Sequence, residues 1–432
     1  MISPHLQKDL GKQEAEAQPG LRLLLIALVP FSLGFFFSYL YRAVNAVIAP
    51  DLVRDIGLSA GELGLLTAAY LFAFSMFQLP LGILLDRYGP RRVQATLVAI
   101  GGIGALIFAM AESITVLTIA RAIIGLGFAG GLMSGFKAVV IWVPEPRRAL
   151  ANAWVMSTGA LGLLIATAPM EMAVRSVGWR WAFVGLAVIT LAVAALIFFA
   201  VPERSAQSST SNLRQEIGEI GKIYRDRVFL AMAPLLALTA GSHIAIQTLW
   251  VGPWLRDVAG LDRDGTAYSL FIMAVAFFIG ILFTGAVADW FVRRGVSLLH
   301  VMMGFIALFL ASQMLLFLDI RGLDLTLWSL FCMTGQVAIL AYPWLARYFG
   351  VRLSGRATTA MNLLMFLAAF AVQYAIGIII DTYPPPSPGR YDPAAYRLAF
   401  GAALGVQLAA LLWYLANARR LRDAEHTTAP PS

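Results

Sequence analysis

Twelve apolar segments, each long enough to cross a bilayer, restrict the folds that are open to this chain. Of its 432 residues, 59% are hydrophobic and 13% are charged, whereas an ordinary soluble domain is about 25% charged. A membrane-crossing helix needs about 20 predominantly apolar residues. The segments that meet this requirement lie at 22–48, 62–84, 93–111, 114–142, 149–172, 180–201, 228–252, 267–288, 298–318, 326–346, 357–380 and 396–416. We therefore predict an all-α membrane protein with twelve transmembrane helices.

One long polar stretch divides these segments into two groups of six. It runs from Glu203 to Arg227 and has apolar residues at positions 213, 217, 220 and 223, which share one face of a helix. This pattern predicts a helix that lies on the membrane surface. The predicted domains are an N-terminal tail (1–21), a six-helix half (22–202), a cytoplasmic linker with the interfacial helix (203–227), a second six-helix half (228–418) and a C-terminal tail (419–432).

The distribution of lysine and arginine predicts the orientation of the chain in the membrane. With the N-terminus in the cytoplasm, the cytoplasmic loops carry 21 of the 32 basic residues and the opposite loops carry 8. Such an excess is typical of cytoplasmic loops. We therefore predict a multi-pass protein of the inner (cytoplasmic) membrane with both termini in the cytoplasm. The remaining basic residues, Arg42, Arg121 and Lys137, lie inside spans.

Composition excludes several kinds of site. The single cysteine, Cys332, rules out a disulfide framework, and four scattered histidines are too few for a multi-histidine metal site. The sequence has no nucleotide-binding loop and no nucleophile–base pair within a span, so we predict neither an enzyme nor a bound cofactor or metal. The net charge of +8 is spread over the loops, whereas nucleic-acid binding requires positive charge clustered on one face.

Two related loops indicate an internal repeat. The loops after the second and the eighth segments both begin Gly-x-x-x-Asp and continue with basic residues, and their aspartates are 203 positions apart. The residues of these signature loops are Gly82, Asp86, Arg87, Gly89, Arg91 and Arg92 in the first copy and Gly285, Asp289, Arg293 and Arg294 in the second. Copies at equivalent places predict two halves that are related by pseudo-symmetry.

The first copy, Gly-x-x-x-Asp-Arg-x-Gly-x-Arg-Arg, resembles the cytoplasmic signature loop of the major facilitator superfamily. Arg121, followed by Gly125, resembles the fourth-helix arginine motif of the same superfamily. The resemblance covers nearly the whole chain, from about Leu21 to Ala418. It implies two six-helix bundles that rock about a central site, gating by the signature loops, transport without a cofactor, and a monomer.

The run from Tyr41 to Pro50 is similar to the organic anion/cation symporter branch of that superfamily. This resemblance implies that Arg42 binds the carboxylate of the substrate. The branch commonly has one acid just before this arginine and another in the fourth span, whereas this chain has Tyr41 and Phe128 at those places. The coupling ion, H⁺ or Na⁺, is therefore left open.

Polar side chains at membrane depth are candidates for the substrate pathway, because their burial there is costly. Arg42 and Arg121 each lie about 10 Å outward of the centre of their spans, at 1.5 Å per residue. In the superfamily that the chain resembles, the first and fourth helices line the central cavity, and the resemblance implies that both arginines can contact one anion. His243 and Gln247 lie near the middle of the seventh span and share a helix face with Trp250. The predicted pathway residues are Arg42, Asn45, Arg121, His243, Gln247, Trp250, Gln336, Tyr342 and Asn362.

Other interpretations of these residues stay open. Arg42 and Lys137 can extend to the membrane surface, Arg121 can bind backbone carbonyls of a neighbouring helix, and the polar amides can join helices to one another. We expect the glycines of the fourth span to permit close helix packing, and these are Gly125, Gly127, Gly130, Gly131 and Gly135.

The sequence thus predicts a secondary transporter that moves a small organic solute across the membrane. An anion is favoured, because the charge predicted inside the membrane is wholly positive. The alternatives are an exporter of amphiphilic or cationic compounds, a membrane receptor without transport activity, and a metal transporter that uses the methionine pair Met361 and Met365. The predicted partners are a small-molecule substrate and the lipid bilayer, and no nucleic acid.

Overall fold

The computed structural model describes residues 21–202, 213–318, 322–387 and 389–428. The predicted N-terminal tail, apart from Leu21, the linker residues 203–212 and the last four residues lie outside this part. The described residues are almost entirely helical and form no β-sheet. The α-helices are α1 Leu21–Ala43, α2 Asn45–Ile56, α3 Ala60–Met110, α4 Ile114–Phe128, α5 Gly131–Trp142, α6 Arg148–Ile165, α7 Ala168–Ala200, α8 Leu213–Ile223, α9 Arg227–Ala245, α10 Val251–Asp257, α11 Arg263–Val292, α12 Leu298–Phe317, α13 Asp324–Thr334, α14 Ala341–Asp381, α15 Pro393–Ala416 and α16 Ala418–Thr428.

Twelve membrane crossings follow from these helices. Eleven helical stretches of the described chain are long and apolar enough to span a bilayer. One of them, α3, has 51 residues, which is about 75 Å of helix and about twice the thickness of the apolar layer. It divides at Gly89, whose φ of 76° is disallowed in a continuous helix, and Pro90 starts the second arm. The prediction of twelve transmembrane helices is therefore confirmed.

The spans are assembled from the helices in chain order. Span 1 is α1 with α2, spans 2 and 3 are the two arms of α3, and span 4 is α4 with α5. Span 5 is α6 with the start of α7, and span 6 is the rest of α7 after Gly178. Span 7 runs from α9 to α10 through a π-helical turn at Ile246–Trp250. Spans 8 and 9 are α11 and α12. Span 10 runs from α13 to Gly350, span 11 is the rest of α14, and span 12 is α15.

Spans 1 and 5 extend furthest beyond the C-terminal ends that the hydropathy pattern predicts. Span 1 continues through a turn at Val44 to Ile56, eight residues beyond the predicted end at 48. Span 5 continues to Gly178, beyond the predicted end at 172. The extension of span 1 contains Asp51, and Glu171 lies one residue before the predicted end of span 5. Both carboxylates are buried in the structure.

Helix caps repeat in the two halves as the signature loops do. The hydroxyl of Ser59 accepts a hydrogen bond from the backbone N–H of Glu62 at the start of span 2. The carboxylate of Asp262 accepts one from the N–H of Gly265 at the start of span 8. These two caps are again 203 positions apart, so the internal repeat extends to the ends of the helices.

The linker helix α8 packs against the base of span 11. Ile220 and Ile223 are buried, and Glu219 forms an ion pair with Arg356 at 2.6 Å. The hydroxyl of Tyr224 donates to the backbone oxygen of Ala360 at 2.9 Å. Burial raises the pKa of Tyr224 to about 12. The position of α8 relative to the membrane surface stays a prediction.

Candidate functional site

The two halves of the molecule meet along spans 2 and 11. The rings of Phe74 and Phe366 lie 4.5 Å apart at their centroids, and those of Phe72 and Phe370 lie 5.3 Å apart. We call the end of the bundle that carries Gly89 and the signature loops the signature end, and the other end the opposite end. We call these ring contacts between the halves the aromatic seam.

Arg42 lies in this seam and contacts both halves. Its guanidinium carbon is 4.7 Å from the ring centroid of Tyr39, 5.0 Å from that of Phe74 and 5.0 Å from that of Phe366. Tyr39 and Phe74 belong to the first half and Phe366 to the second. Arg42 is 7% exposed. Because span 1 reaches Ile56, Arg42 is closer to its middle than the predicted 10 Å.

The charge of Arg42 is not balanced by an acid in the described chain. Its Nε is buried and has no hydrogen-bond partner, and no described carboxylate lies within ion-pair distance. Cation–π contacts contribute about 0.5–2 kcal/mol each, but taking an ion out of water costs several kcal/mol. A planar guanidinium that is buried without a described counter-charge is suited to a carboxylate or sulfonate, which it binds through two parallel hydrogen bonds.

Two polar side chains, Tyr342 and Asn362, lie about one helical turn from the aromatic rings around Arg42. The hydroxyl of Tyr342 donates to Oδ1 of Asn362 and lies 3.8 Å from the sulfur of Met365. Asn362 precedes Phe366 by four residues, so the two side chains share a face of α14 about 6 Å apart. The amide NH₂ of Asn362 donates to no described residue. It is therefore available to a bound polar group.

Arg121 is placed inside the first half. One of its guanidinium nitrogens donates to the backbone oxygen of Tyr41 at 2.8 Å, and the guanidinium lies over the rings of Tyr70 and Phe108. Arg121 is fully buried, and its Nε and second terminal nitrogen have no hydrogen-bond partner in the described part of the chain. It thus ties span 4 to span 1, whereas Arg42 contacts the other half. A direct role of Arg121 in binding substrate stays a prediction.

His243 is enclosed by aromatic rings of the second half. Its ring is parallel to that of Phe277 at 6.0 Å and also contacts Phe309 and Phe331. Its Nδ1 lies 3.4 Å from the amide nitrogen of Gln336, and its Nε2 has no hydrogen-bond partner among the residues that the structure describes. His243 is 1% exposed, and its role along the pathway stays a prediction.

The other predicted pathway residues are engaged in contacts between helices. Asn45 donates to the hydroxyl of Thr67 at 2.8 Å, which joins spans 1 and 2. Gln247 lies 3.8 Å from the sulfur of Cys332. The indole nitrogen of Trp250 donates to the backbone oxygen of Gln373 at 3.0 Å. Their functional roles stay predictions.

The first signature loop is tied to its own half. Lys137 of span 4 forms an ion pair with Asp86, so this lysine has a partner in place of extending to the membrane surface. The Nε of Arg91 donates to the backbone oxygen of Phe198 at 2.8 Å. These contacts join spans 2 and 4, and spans 3 and 6, at the signature end.

The second signature loop makes more local contacts. Arg293 pairs with Asp289 at 2.6 Å, and both side chains are mostly exposed. Arg294 lies 3.5 Å from the ring centroid of Trp290. The two copies of the loop therefore occupy equivalent places in the fold with different partners. The gating role that the resemblance implies for both loops stays a prediction.

Sequence analysis missed a set of charged residues at the opposite end. Arg263 of span 8 binds the carboxylate of Asp51 at 2.5 and 3.2 Å and that of Glu171. Asp381, at the end of span 11, accepts hydrogen bonds from the start of span 2. The available signal was acids flanking the predicted spans, such as Asp51 after Pro50. Hydropathy cannot show that their partners lie in the other half.

Comparison with known proteins identifies relatives for most of the chain. The family model described as Major Facilitator Superfamily matches residues 31–373. Similar proteins include the probable sulfoacetate transporter SauU of Cupriavidus necator, 25% identical over 276 residues, with 61% of this chain and 64% of that protein covered. They also include a D-galactonate transporter of Escherichia coli, 26% identical over 308 residues (65% and 70% covered). A hexuronate transporter of Escherichia coli is 26% identical over 299 residues (65% and 68% covered). The match spans less than two thirds of the length of the first of these.

Solved structures show the same fold. A bacterial homolog of the human lysosomal transporter Spinster, in an inward-facing and unoccupied conformation, superposes with a TM-score of 0.73 at 17% identity, covering 96% of this chain and all of that chain. A D-xylose-proton symporter superposes with a TM-score of 0.69 at 15% identity, covering 90% of this chain and 97% of that chain. At these identities the likeness concerns the architecture of the two bundles.

Proposed function

The chain belongs to the Major Facilitator Superfamily, and from this premise we propose that it is a secondary transporter of a small organic anion that works by alternating access. Proteins of this family are multi-pass membrane transporters and not enzymes. We place both termini in the cytoplasm, because the signature end carries the excess of Lys and Arg. The proposed transporter acts as a monomer, and its coupling ion is H⁺ or Na⁺.

The observation that carries this proposal is the position of Arg42. It is a buried guanidinium without a carboxylate partner among the described residues, and it contacts aromatic rings of both halves. An anion bound there touches both bundles at once, so its binding is linked to the movement of one bundle against the other. The relatives that transport sulfoacetate, galactonate and hexuronate all take acids as substrates, which supports the same substrate class.

The test is a thermal-shift screen of the purified protein. We expect at least one of sulfoacetate, D-galactonate and D-glucuronate to raise the melting temperature, because a ligand at 100 times its Kd stabilises the folded state by about 2.7 kcal/mol. Uptake of the stabilising compound into proteoliposomes then establishes transport. Stabilisation by lipophilic amines alone, with no response to any acid, would contradict the anion proposal and favour the exporter.

Asn362 and Tyr342 are proposed to bind hydroxyl groups of the substrate. A sugar acid with its carboxylate on Arg42 can place a hydroxyl about 6 Å away, one helical turn along span 11. We expect Asn362→Ala to raise the KM for D-galactonate about tenfold, since one hydrogen bond in a buried site is worth roughly 1.4 kcal/mol. Sulfoacetate has no hydroxyl, so its KM serves as the matched control. An equal rise in both KM values would contradict the subsite.

A further inference from the structure

Asp381 joins the two halves by capping a helix of the other half. Its carboxylate accepts hydrogen bonds from the hydroxyl of Ser59 and from the backbone N–H groups of Ala60 and Gly61, each at 2.8 Å. The N-terminus of a helix carries partial positive charge, which a carboxylate stabilises. Asp381 lies at the end of span 11 and the capped residues start span 2. We call these four residues the span 11 latch.

A second set of contacts at the same end runs from span 5 to span 8. Arg263 forms an ion pair with Glu171, and Asp264 forms one with Arg175 at 2.7 Å. We call these four residues the span 5 latch. Asp51 of span 1 adds a second carboxylate to Arg263. Arg263 and Asp264 belong to the second half, and their partners belong to the first.

The two latches are copies of one another in the internal repeat. The residues of span 2 that donate hydrogen bonds to Asp381 are Ser59 to Gly61. They correspond to Asp262 to Asp264 of span 8 at the repeat offset of 203. Both sets start a helix at its cap. Their partners in the other half, Glu171 and Arg175 of span 5 and Asp381 of span 11, lie near the same end of these spans. Spans 5 and 11 are equivalent in the two halves. Each half therefore holds the first turn of a helix of the other half.

Glycines let the halves approach closely beside the span 11 latch. A Cβ at Gly377 would lie 2.6 Å from the backbone oxygen of Ala60, and one at Gly64 would lie 3.1 Å from that of Gln373. The backbones of spans 2 and 11 are thus in direct contact at this end. Any separation of the halves here must break both this contact and the hydrogen bonds of Asp381.

We propose that the two latches hold the opposite end closed, and that Asp381 and Glu171 are positioning residues that set the balance between closed and open conformations. The proposal rests on alternating access, the mechanism proposed above. All of these contacts join the halves, so they exist only while the opposite end is closed. Weakening either latch shifts the population toward the conformation that is open at this end.

The test measures access to a cysteine placed behind the latches. Val47 is buried and lines a cavity of about 190 Å³ between the halves, together with Glu171 and Arg263. In a Cys332→Ser background, Val47→Cys reacts with a water-soluble maleimide only when the opposite end opens. We expect Asp381→Asn and Glu171→Gln each to raise the reaction rate roughly tenfold, as the loss of a charge-assisted contact shifts an equilibrium.

The matched control is Asp392→Asn. Asp392 caps span 12 at the same end, with its carboxylate on the N–H of Ala394, but it makes this contact within one half. Asp392 uses a single carboxylate oxygen, which asparagine retains, so the control leaves the labelling rate unchanged. Asp381 uses both of its oxygens, and asparagine has only one acceptor oxygen. Rates in Asp381→Asn, in Glu171→Gln and in their double variant that equal the control rate would overturn the proposal.

A second variant separates spans 2 and 11 without replacing a charged residue. Gly377→Val places a side chain against the backbone of Ala60 and is expected to raise the labelling rate as well, whereas Gly405→Val, whose Cβ meets open space, is the control. If the latch variants do not fold, an unchanged rate in Gly377→Val overturns the proposal. The labelling requires no substrate, so it succeeds or fails independently of whether Arg42 binds an anion.

Discussion

Replacing Arg42 by glutamine is expected to lower kcat/KM for anion uptake by roughly 100-fold or more while the protein remains folded. A 100-fold loss corresponds to about 2.7 kcal/mol, the size expected when a charged, two-pronged contact to a carboxylate is removed from a buried site. The relevant measurement is uptake into proteoliposomes of the acid that stabilises the wild-type protein, as a function of its concentration.

The same variant is expected to melt at the same or a higher temperature than the wild type. The guanidinium of Arg42 has no described counter-charge, so its removal relieves a desolvation cost and breaks no ion pair. Arg42→Lys keeps the charge but not the planar pair of donors, and we expect it to recover only a small part of the uptake. Loss of activity with retained stability separates a binding residue from a structural one.

Arg180→Gln is the matched control for Arg42. Arg180 also lies over an aromatic ring, that of Trp179 at 4.3 Å, and it donates to the backbone oxygens of Ala109 and Ala111. All of these partners belong to one half. We expect the control to lower the melting temperature and to leave the KM unchanged. Normal uptake by both Arg42→Gln and Arg42→Ala would show that the anion binds elsewhere.

The number and order of the spans were predictable because they depend only on where long apolar stretches occur in the sequence. Twenty apolar residues in a row have few alternatives to a membrane helix, and the pair Gly89–Pro90 marks the reversal inside α3. The ends of the spans were less predictable. Span 1 contains Pro50 and Asp51, which favour a helix end in sequence. In the fold the helix continues, because Asp51 finds its counter-charge on Arg263, 212 positions away.

The face shared by His243, Gln247 and Trp250 was only partly predictable from sequence. Regular α-helical spacing predicts that His243, Gln247 and Trp250 share one face. The π-helical turn at Ile246–Trp250 adds a residue to the turn and changes the face after this point. Trp250 therefore leaves the face that regular spacing predicts and contacts span 11. His243, which precedes the turn, contacts span 10 as Gln247 does. Sequence periodicity assumes a uniform helix and does not show such a turn.

Substitution of Gly127 tests the packing of spans 3 and 4, where the sequence pattern and the structure agree closely. The glycines of the fourth span were expected to permit close packing, and a Cβ at Gly127 would lie 2.3 Å from the backbone nitrogen of Gly101 and 2.4 Å from its Cα. Backbone atoms cannot rotate away as side chains do. Spans 3 and 4 therefore touch through their main chains, as small residues allow in membrane helices.

Gly127→Val is accordingly expected to cost more than about 3 kcal/mol, at or above the upper limit for ordinary overpacking, and to abolish the monodisperse peak in size-exclusion chromatography. The matched control is Gly185→Val in span 6 of the same half, where a Cβ meets nothing within 4 Å. We expect the control to elute and melt as the wild type does. A monodisperse Gly127→Val protein with wild-type melting would mean that spans 3 and 4 can separate without loss of the fold. In that case the first half would deform during transport, and the rigid rocking of two bundles assumed for Arg42 and for the latches would need to be replaced.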